Sequence, residues 1–394
     1  MEGDFIKINE WLLPLSWVYG LGVRLRNLLF DMGILKEQAY KIPVIAVGNI
    51  TVGGTGKTPH VEHLIRLLSD KVGVAVLSRG YKRKSRGFVL ADADTPMDMI
   101  GDEPFQMKQK YKHITVAVDK KRTRGIERLT CDDGTTPEVD VVLLDDAFQH
   151  RYVKPGVNIL LVDYHRLIIY DKLLPVGRLR EPLKGKNRAD IVIVTKCPRE
   201  LKPMEYRVLT RAMNLYPYQQ LYFTTLEYEP LRPVFDEGEI GGLAAPDGLN
   251  GQNILLLTGI ASPRQLILDL QSRVKSLQSL AFADHHNFRQ RDVRRINQAF
   301  ESLPQPRCII TTEKDAARLL TVSGLSAEVR KNLFVLPVKI AFMLEQEEMF
   351  NENIIGYVRK NSKNSILAKR KDDNKPQNSN RSGNRSRTIS FRNN

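Results

Sequence analysis

A chain of 394 residues is longer than one hydrophobic core usually grows to, and its 42% hydrophobic content can fill two, so two packed domains are expected. Its three cysteines, Cys131, Cys197 and Cys308, lie far apart and form no CxxC pair, which excludes a disulfide framework and favours a reducing, cytoplasmic compartment. The net charge of +15 suggests nucleic acid until it is located: residues 359–394 hold eleven Lys or Arg against Asp372 and Asp373, a net +9, leaving about +6 for the rest.

Near the start, "WLLPLSWVYGLG" (11–22) falls short of the roughly 20 apolar residues that span a bilayer, and Arg24 and Arg26 interrupt the stretch that follows. Together the two stretches read as an amphipathic helix with Trp11, Trp17 and Tyr19. That composition suits a lipid headgroup layer, and it suits packing on the protein's own core equally. The small-residue cleavage site of a secretory signal is missing.

The apolar run at 42–47 leads into "GNITVGGTGKTP". Its core, Thr51-Val52-Gly53-Gly54-Thr55-Gly56-Lys57-Thr58, matches G-x-x-x-x-G-K-[ST] except for threonine in the first position. Such a loop cradles phosphates because glycine lets successive backbone N–H groups turn inward, while the lysine reaches the β and γ phosphates and the hydroxyl binds Mg²⁺. A strand-like run before it and the helically spaced "PHVEHLIRLL" after it, with Pro59 tolerated in the first turn, make it a nucleotide phosphate site. Gly53, Gly54 and Gly56 do not give the G-x-G-x-x-G of a dinucleotide loop.

Further β-branched runs at 72–77, 114–118, 139–144, 157–162 and 191–194 alternate with helix-length connections. They predict an α/β fold: a P-loop NTPase-like, doubly wound parallel sheet covered on both faces. Between them, "SRGYKRKSRG" (78–87) gathers five cations around one tyrosine, which fits either an anionic substrate or a solvated loop. "MIGDEPFQM" places Asp102 and Glu103 after Gly101, a pattern that also serves as a helix cap. "VDVVLLDDAFQH" ends an apolar run on Asp145 and Asp146, the Walker-B arrangement that holds the metal of a P-loop site. "TKCP" (195–198) lacks the aspartate of guanine-specific proteins, which disfavours GTP.

"QQLYFTTLEYEPLRPVF" (219–235) and the glycine-rich stretch behind it read as an extended linker or hairpin. Beyond it, strands at 254–257, 280–283, 308–311 and 333–338 and a helix at 263–277 predict a smaller second α/β domain. The expected division is an amphipathic membrane-interface region over 1–30, a P-loop domain over 31–218, the linker over 219–252, the smaller domain over 253–358 and a basic tail over 359–394. That tail has little to bury and is expected to be disordered, either simply solvated or touching anionic lipid or RNA.

In order, "GNITVGGTGKTP", "LSRGY", "GDEP", "LLDDAFQH", "LLPVGRLREP", "FADHH" and "TTEKDA" resemble the tetraacyldisaccharide 4'-kinase family, the lipid A 4'-kinases, over about residues 10 to 345. The resemblance implies phosphorylation of the 4' hydroxyl of an acylated glucosamine disaccharide 1-phosphate with ATP and Mg²⁺. It also implies a peripheral or monotopic protein on the cytoplasmic face of the bacterial inner membrane. By the same resemblance Lys57 and Thr58 serve phosphate and Mg²⁺, Asp145 and Asp146 are the Walker-B acids, and Glu181 is linked to metal binding, with Arg180 beside it. Asp102 matches the family's catalytic base, His285 the histidine paired with it, and Arg122 an active-site cation. One departure stands out: the family more often carries glycine at Ala147, so the backbone there must hold a negative φ.

A P-loop ATPase acting as a nucleotide switch on a partner is the rival reading. An RNA-binding role resting on the tail is a second, disfavoured because the folded part lacks interleaved aromatic and basic stacking motifs, and no nucleic-acid partner is expected. Oligomeric state leaves no mark in the sequence.

Overall fold

In the computed structural model, residues 10–131, 134, 137–236, 248–260, 263–283 and 286–361 are described. The apolar runs of the first half form β1 (Val44–Gly48), β2 (Val74–Ser78), β4 (Thr115–Val118), β5 (Val141–Asp145), β6 (Val157–Asp163) and β7 (Ile191–Thr195), with the short β3 (Val89–Ala91) between β2 and β4. Every residue of β1, β2, β4, β5 and β7 is buried, as expected for parallel strands with both faces covered. The chain continues with β8 (Gln220–Tyr228), β9 (Arg232–Pro233), β10 (Asn253–Thr258), β11 (Ser276–Ala281), β12 (Arg307–Thr311), β13 (Leu333–Val335) and β14 (Val338–Phe342).

The described residues form a nine-stranded sheet, β14-β8-β7-β6-β1-β5-β2-β4-β3, and a five-stranded sheet, β11-β10-β12-β13-β9. The large sheet is parallel from β8 to β4, with β14 and β3 antiparallel at its edges. From β1 the chain departs to β2 on one side, and from β5 it crosses to β6 on the other. The carboxyl ends of these strands line the crevice where doubly wound sheets place their ligands.

Three features differ from the sequence expectation. The stretch read as linker or hairpin supplies β8, because its consecutive Tyr222 and Phe223 are buried in the cores on opposite faces of the sheet, with β7 and β14 on either side. The run at 333–338 divides around Leu336 and Pro337, and its second part, as β14, pairs with β8 in the large sheet while β13 stays in the small one. The helix expected over 263–277 is Arg264–Gln271 only, since parallel pairing of Asn253 with Ser276 draws the following residues into β11. The final helix, Glu347–Asn361, buries Phe350, Ile354 and Val358 in the same core as Val61, Leu64 and Ile65 of the helix Lys57–Leu68. The chain thus leaves the large sheet, builds the small one and returns. The glycine-rich segment at 237–247 and the basic tail from 362 onward lie outside the described residues.

Candidate active site

The loop after β1 is held from three sides. Val52 N–H donates to Arg178 O at 2.8 Å and Arg180 N–H to Ile50 O at 2.7 Å, tying the loop to the "GRLRE" segment. Asn49 Nδ2 donates to Thr55 Oγ1 at 2.9 Å, Thr195 Oγ1 donates to Thr55 O at 3.0 Å, and Lys196 Nζ donates to Gly54 O. Gly53 and Gly56 stand at φ 121° and 80°, which a side chain rarely tolerates, and a Cβ on Gly53 or Gly54 would meet nothing within 4 Å. That open concavity ends at Gly56, the N-cap of helix Lys57–Leu68, whose free first-turn amides favour an anion. His60, fully buried, donates from Nδ1 to Gly56 O at 2.7 Å and accepts at Nε2 from Thr224 Oγ1 at 3.1 Å. Burial pushes its pKa down to about 4.

β5 delivers the acids. Asp145 is buried; Ser78 Oγ donates to its Oδ2 at 3.1 Å, and its Oδ1 has no hydrogen-bond partner among the described residues. Burial, then the charges of Glu103 and Asp146, push its carboxyl up to about 7. Asp146 takes the left-handed conformation at φ 46°, tolerated by aspartate, so the strain falls there and Ala147 stays outside the positive-φ region. Lys57 Nζ lies 3.7 Å and Arg180 Nη1 3.2 Å from Asp146 Oδ1. Burial alone would raise the Asp146 carboxyl, but Lys57, Arg180 and Arg122 together hold it below the usual range. Arg122, 2% exposed, spreads Nη2 over the carbonyls of Asp145 and Asp146 at 3.3 and 3.4 Å, and burial pushes its pKa down to about 10. The arginine therefore grips the backbone of the acidic turn.

The orphaned Asp145 Oδ1 fits a divalent cation, with Thr58 in the first turn of the neighbouring helix. Mg²⁺ is usually held by one or two carboxylates plus substrate phosphates, a demand that one free carboxylate oxygen and a hydroxyl can meet. Glu181 is buried and committed elsewhere, with Arg188 Nη2 at 2.8 Å and Gln149 Nε2 at 3.1 Å.

Asp102 opens helix Asp102–Lys110 after Gly101, and its Oδ2 accepts from both Nε and Nη2 of Arg318, in helix Glu313–Leu319 behind the small sheet. Glu103 pairs with Lys314 at 3.5 Å, and Lys110 bridges Glu62 and Glu313. These ion pairs join the two sheets' domains at Asp102. A cavity of about 450 Å³ adjoins it, lined by Lys82, Asp98, Phe288, Arg289 and Ser323 among others. His285 lies outside the described residues; its neighbour His286 donates from Nε2 to Asp292 Oδ2 at 2.9 Å.

The N-terminal helix, Leu13–Asp31, docks its polar side on this site: Ser16 Oγ donates to Leu173 O, Tyr19 OH to Arg180 O and Arg26 Nη2 to Gln149 O. Its other side exposes Trp17, Val18, Leu21, Leu25 and Leu28. Sequence reasoning missed Asn49, Ser78, Thr195, Lys196 and Arg318. The signal for Arg318 was Thr312-x-x-Asp315, a helix cap, with an arginine one turn further on the same face.

Residues 8–358 match the family model described as tetraacyldisaccharide-1-P 4'-kinase. The tetraacyldisaccharide 4'-kinase of Phocaeicola vulgatus is 59% identical over 93% of this chain and 99% of its own, and that of Bacteroides fragilis 51% identical over 95% and 100%. The crystal structure of the Aquifex aeolicus protein of the same family, LpxK, in complex with ATP superposes with a TM-score of 0.65 at 29% identity, covering 89% of this chain and 99% of that one.

Proposed function

The chain belongs to the tetraacyldisaccharide-1-P 4'-kinase family, and from that premise we propose that it phosphorylates the 4' hydroxyl of a tetraacylated glucosamine disaccharide 1-phosphate with ATP, a step of lipid A biosynthesis. The observation that carries the reading is the meeting of the glycine loop, Lys57 and the acid pair at the carboxyl ends of adjacent strands β1 and β5.

Phosphoryl transfer asks a protein for positioning and charge neutralisation rather than covalent chemistry. The loop amides of residues 51–58 and Lys57 hold the β and γ phosphates. The 4' oxygen attacks the γ-phosphorus; as that P–O bond forms, the bond to the β–γ bridging oxygen breaks, its electron pair leaves with ADP, and the hydroxyl proton passes to Asp102. His285, the histidine that the family resemblance assigns to Asp102, would share the proton it gains. Asp145 and Thr58 would hold Mg²⁺, with Asp146 next to Asp145 in the chain and Glu181 engaged by Arg188 and Gln149; when bound, such an ion would neutralise charge on the β and γ phosphates. Arg122 fixes the backbone of the acidic turn, and Arg180 balances Asp146.

The lipid substrate must come from a bilayer. Among the described residues no helix is long and apolar enough to cross a membrane. The exposed face of Leu13–Asp31, with Trp17 74% exposed and Trp11 just before the helix 93% exposed, supports peripheral seating on a membrane surface, beside the site that its polar face braces; the family's place in lipid A synthesis favours the cytoplasmic face of the inner membrane.

Incubating the protein with Mg-ATP and a tetraacylated disaccharide 1-phosphate, and weighing the lipid, tests the reaction. A product heavier by one phosphate is expected. ATP hydrolysis with no change in lipid mass would favour the nucleotide switch instead.

A further inference from the structure

We propose that Arg318, in the second domain, is a positioning residue for phosphoryl transfer: its guanidinium fixes the carboxylate of Asp102 and keeps it ionised, so the base is competent only while the two domains are docked. The inference rests on the reading of Asp102 as the base.

Arg318 is 2% exposed, and Asp102 lies on the opposite domain, 216 residues earlier. Such a buried cation needs partners, and it has two carboxylates. Its Nη1 donates to Asp315 Oδ1 at 2.9 Å, while Nε and Nη2 both reach Asp102 Oδ2. Asp315 is itself immobilised: Gly259 N–H donates to its Oδ2 at 2.7 Å and Thr312 Oγ1 at 2.8 Å. The carboxylate of Asp315 therefore orients the guanidinium, and the guanidinium orients Asp102. The planar fork sets direction as well as charge, which an ammonium cannot do.

The setting around Asp102 is mixed. Glu103 on its own helix pairs with Lys314, Asp98 pairs with Lys84, and Lys82 and Arg289 line the adjoining cavity, with His285 the partner in the proposed dyad. Arg318 is the buried cation in direct contact with the carboxylate. A positive charge there favours the ionised base, and removing it favours protonation.

The test compares Arg318→Gln, Arg318→Lys, Asp102→Asn and, as a control for domain docking alone, Glu313→Gln, which breaks the neighbouring Lys110–Glu313 pair. Turnover and KM for ATP are measured from about pH 3.5 to about pH 9, a range that spans the carboxylate limb, with melting curves at each end confirming fold. Arg318→Gln should lower kcat roughly tenfold or more, leave KM for ATP within about twofold, and move the acid limb of the rate profile up by about one pH unit. Arg318→Lys should keep the limb in place with an intermediate kcat, and Glu313→Gln should leave the limb unmoved. A limb that stays put in a folded Arg318→Gln enzyme overturns the role of Arg318 even when Asp102→Asn is dead. Normal turnover in Asp102→Asn overturns the base assignment and the proposal with it. Should Arg318→Gln fail to fold, an Arg318→Lys profile shifted as far as a charge loss requires would likewise reject it.

Discussion

Lys57 Nζ stands 3.7 Å from Asp146 Oδ1, an ion pair across the carboxyl ends of two neighbouring strands. The pair parks the lysine where the glycine loop opens, so that an arriving phosphate meets a cation already in place. Lys57→Ala should lower turnover by roughly 10²- to 10³-fold, the loss seen when one preorganised charge-stabilising donor is removed. Mass analysis of the lipid product beside a melting curve measures it. Near-normal turnover in the folded variant would remove Lys57 from the mechanism.

Acid stability reports on the other end of the same helix turn. His60 is held neutral, with a folded pKa of about 4 against 6.5, so the unfolded chain binds more protons between those values and stability falls as pH drops through that window. From pH 7 to pH 5 the loss due to His60 is about 2 kcal/mol. His60→Gln should flatten part of the slope of melting temperature against pH; burial lowers His63 and His150 too, so their share remains. A slope unchanged by the substitution would mean that His60 titrates normally.

The strands of the doubly wound sheet could be read from sequence because parallel strands buried on both faces must be continuously apolar, as in the run ending at Asp145. The phosphate loop was legible for a similar reason: Gly53 and Gly56 occupy backbone conformations that other residues rarely adopt. β8 was not, since its half-exposed end at Thr225–Tyr228 alternates like a hairpin, and only the distant β14 makes it an interior strand. The Arg318–Asp102 contact was equally invisible. Helix periodicity says that Asp315 and Arg318 share a face, but nothing local says which domain that face meets.

Vesicle binding tests the exposed stripe of the N-terminal helix. Trp17, Leu21 and Leu25 contact solvent, whereas Ser16, Tyr19 and Arg26 brace the site, so deleting the helix would confuse two roles. Replacing Trp17, Leu21 and Leu25 together by serine should weaken co-sedimentation with anionic vesicles by about two orders of magnitude or more, since each buried side chain contributes roughly 1.5–3 kcal/mol. Melting temperature should barely move. Undiminished co-sedimentation would shift membrane contact to another surface.

The dyad of Asp102 and His285 makes the sharpest kinetic claim. A carboxylate of ordinary pKa, about 4, is a weak base, and a histidine that orients it and shares the acquired proton makes it serviceable. The two residues are 183 positions apart in the chain, and Asp102 lies where the domains meet, in contact with the helix that carries Arg318. Asp102→Ala and His285→Ala should therefore each depress kcat far more than they raise KM for ATP, because the role proposed for both is proton transfer rather than phosphate binding. Acting as one unit, the pair should also be non-additive, with the double variant little slower than the poorer single variant. Single-turnover rates on all three variants decide it. Strictly multiplicative losses would make His285 an independent contributor, and normal turnover in His285→Ala would leave Asp102 to work with Arg318 alone.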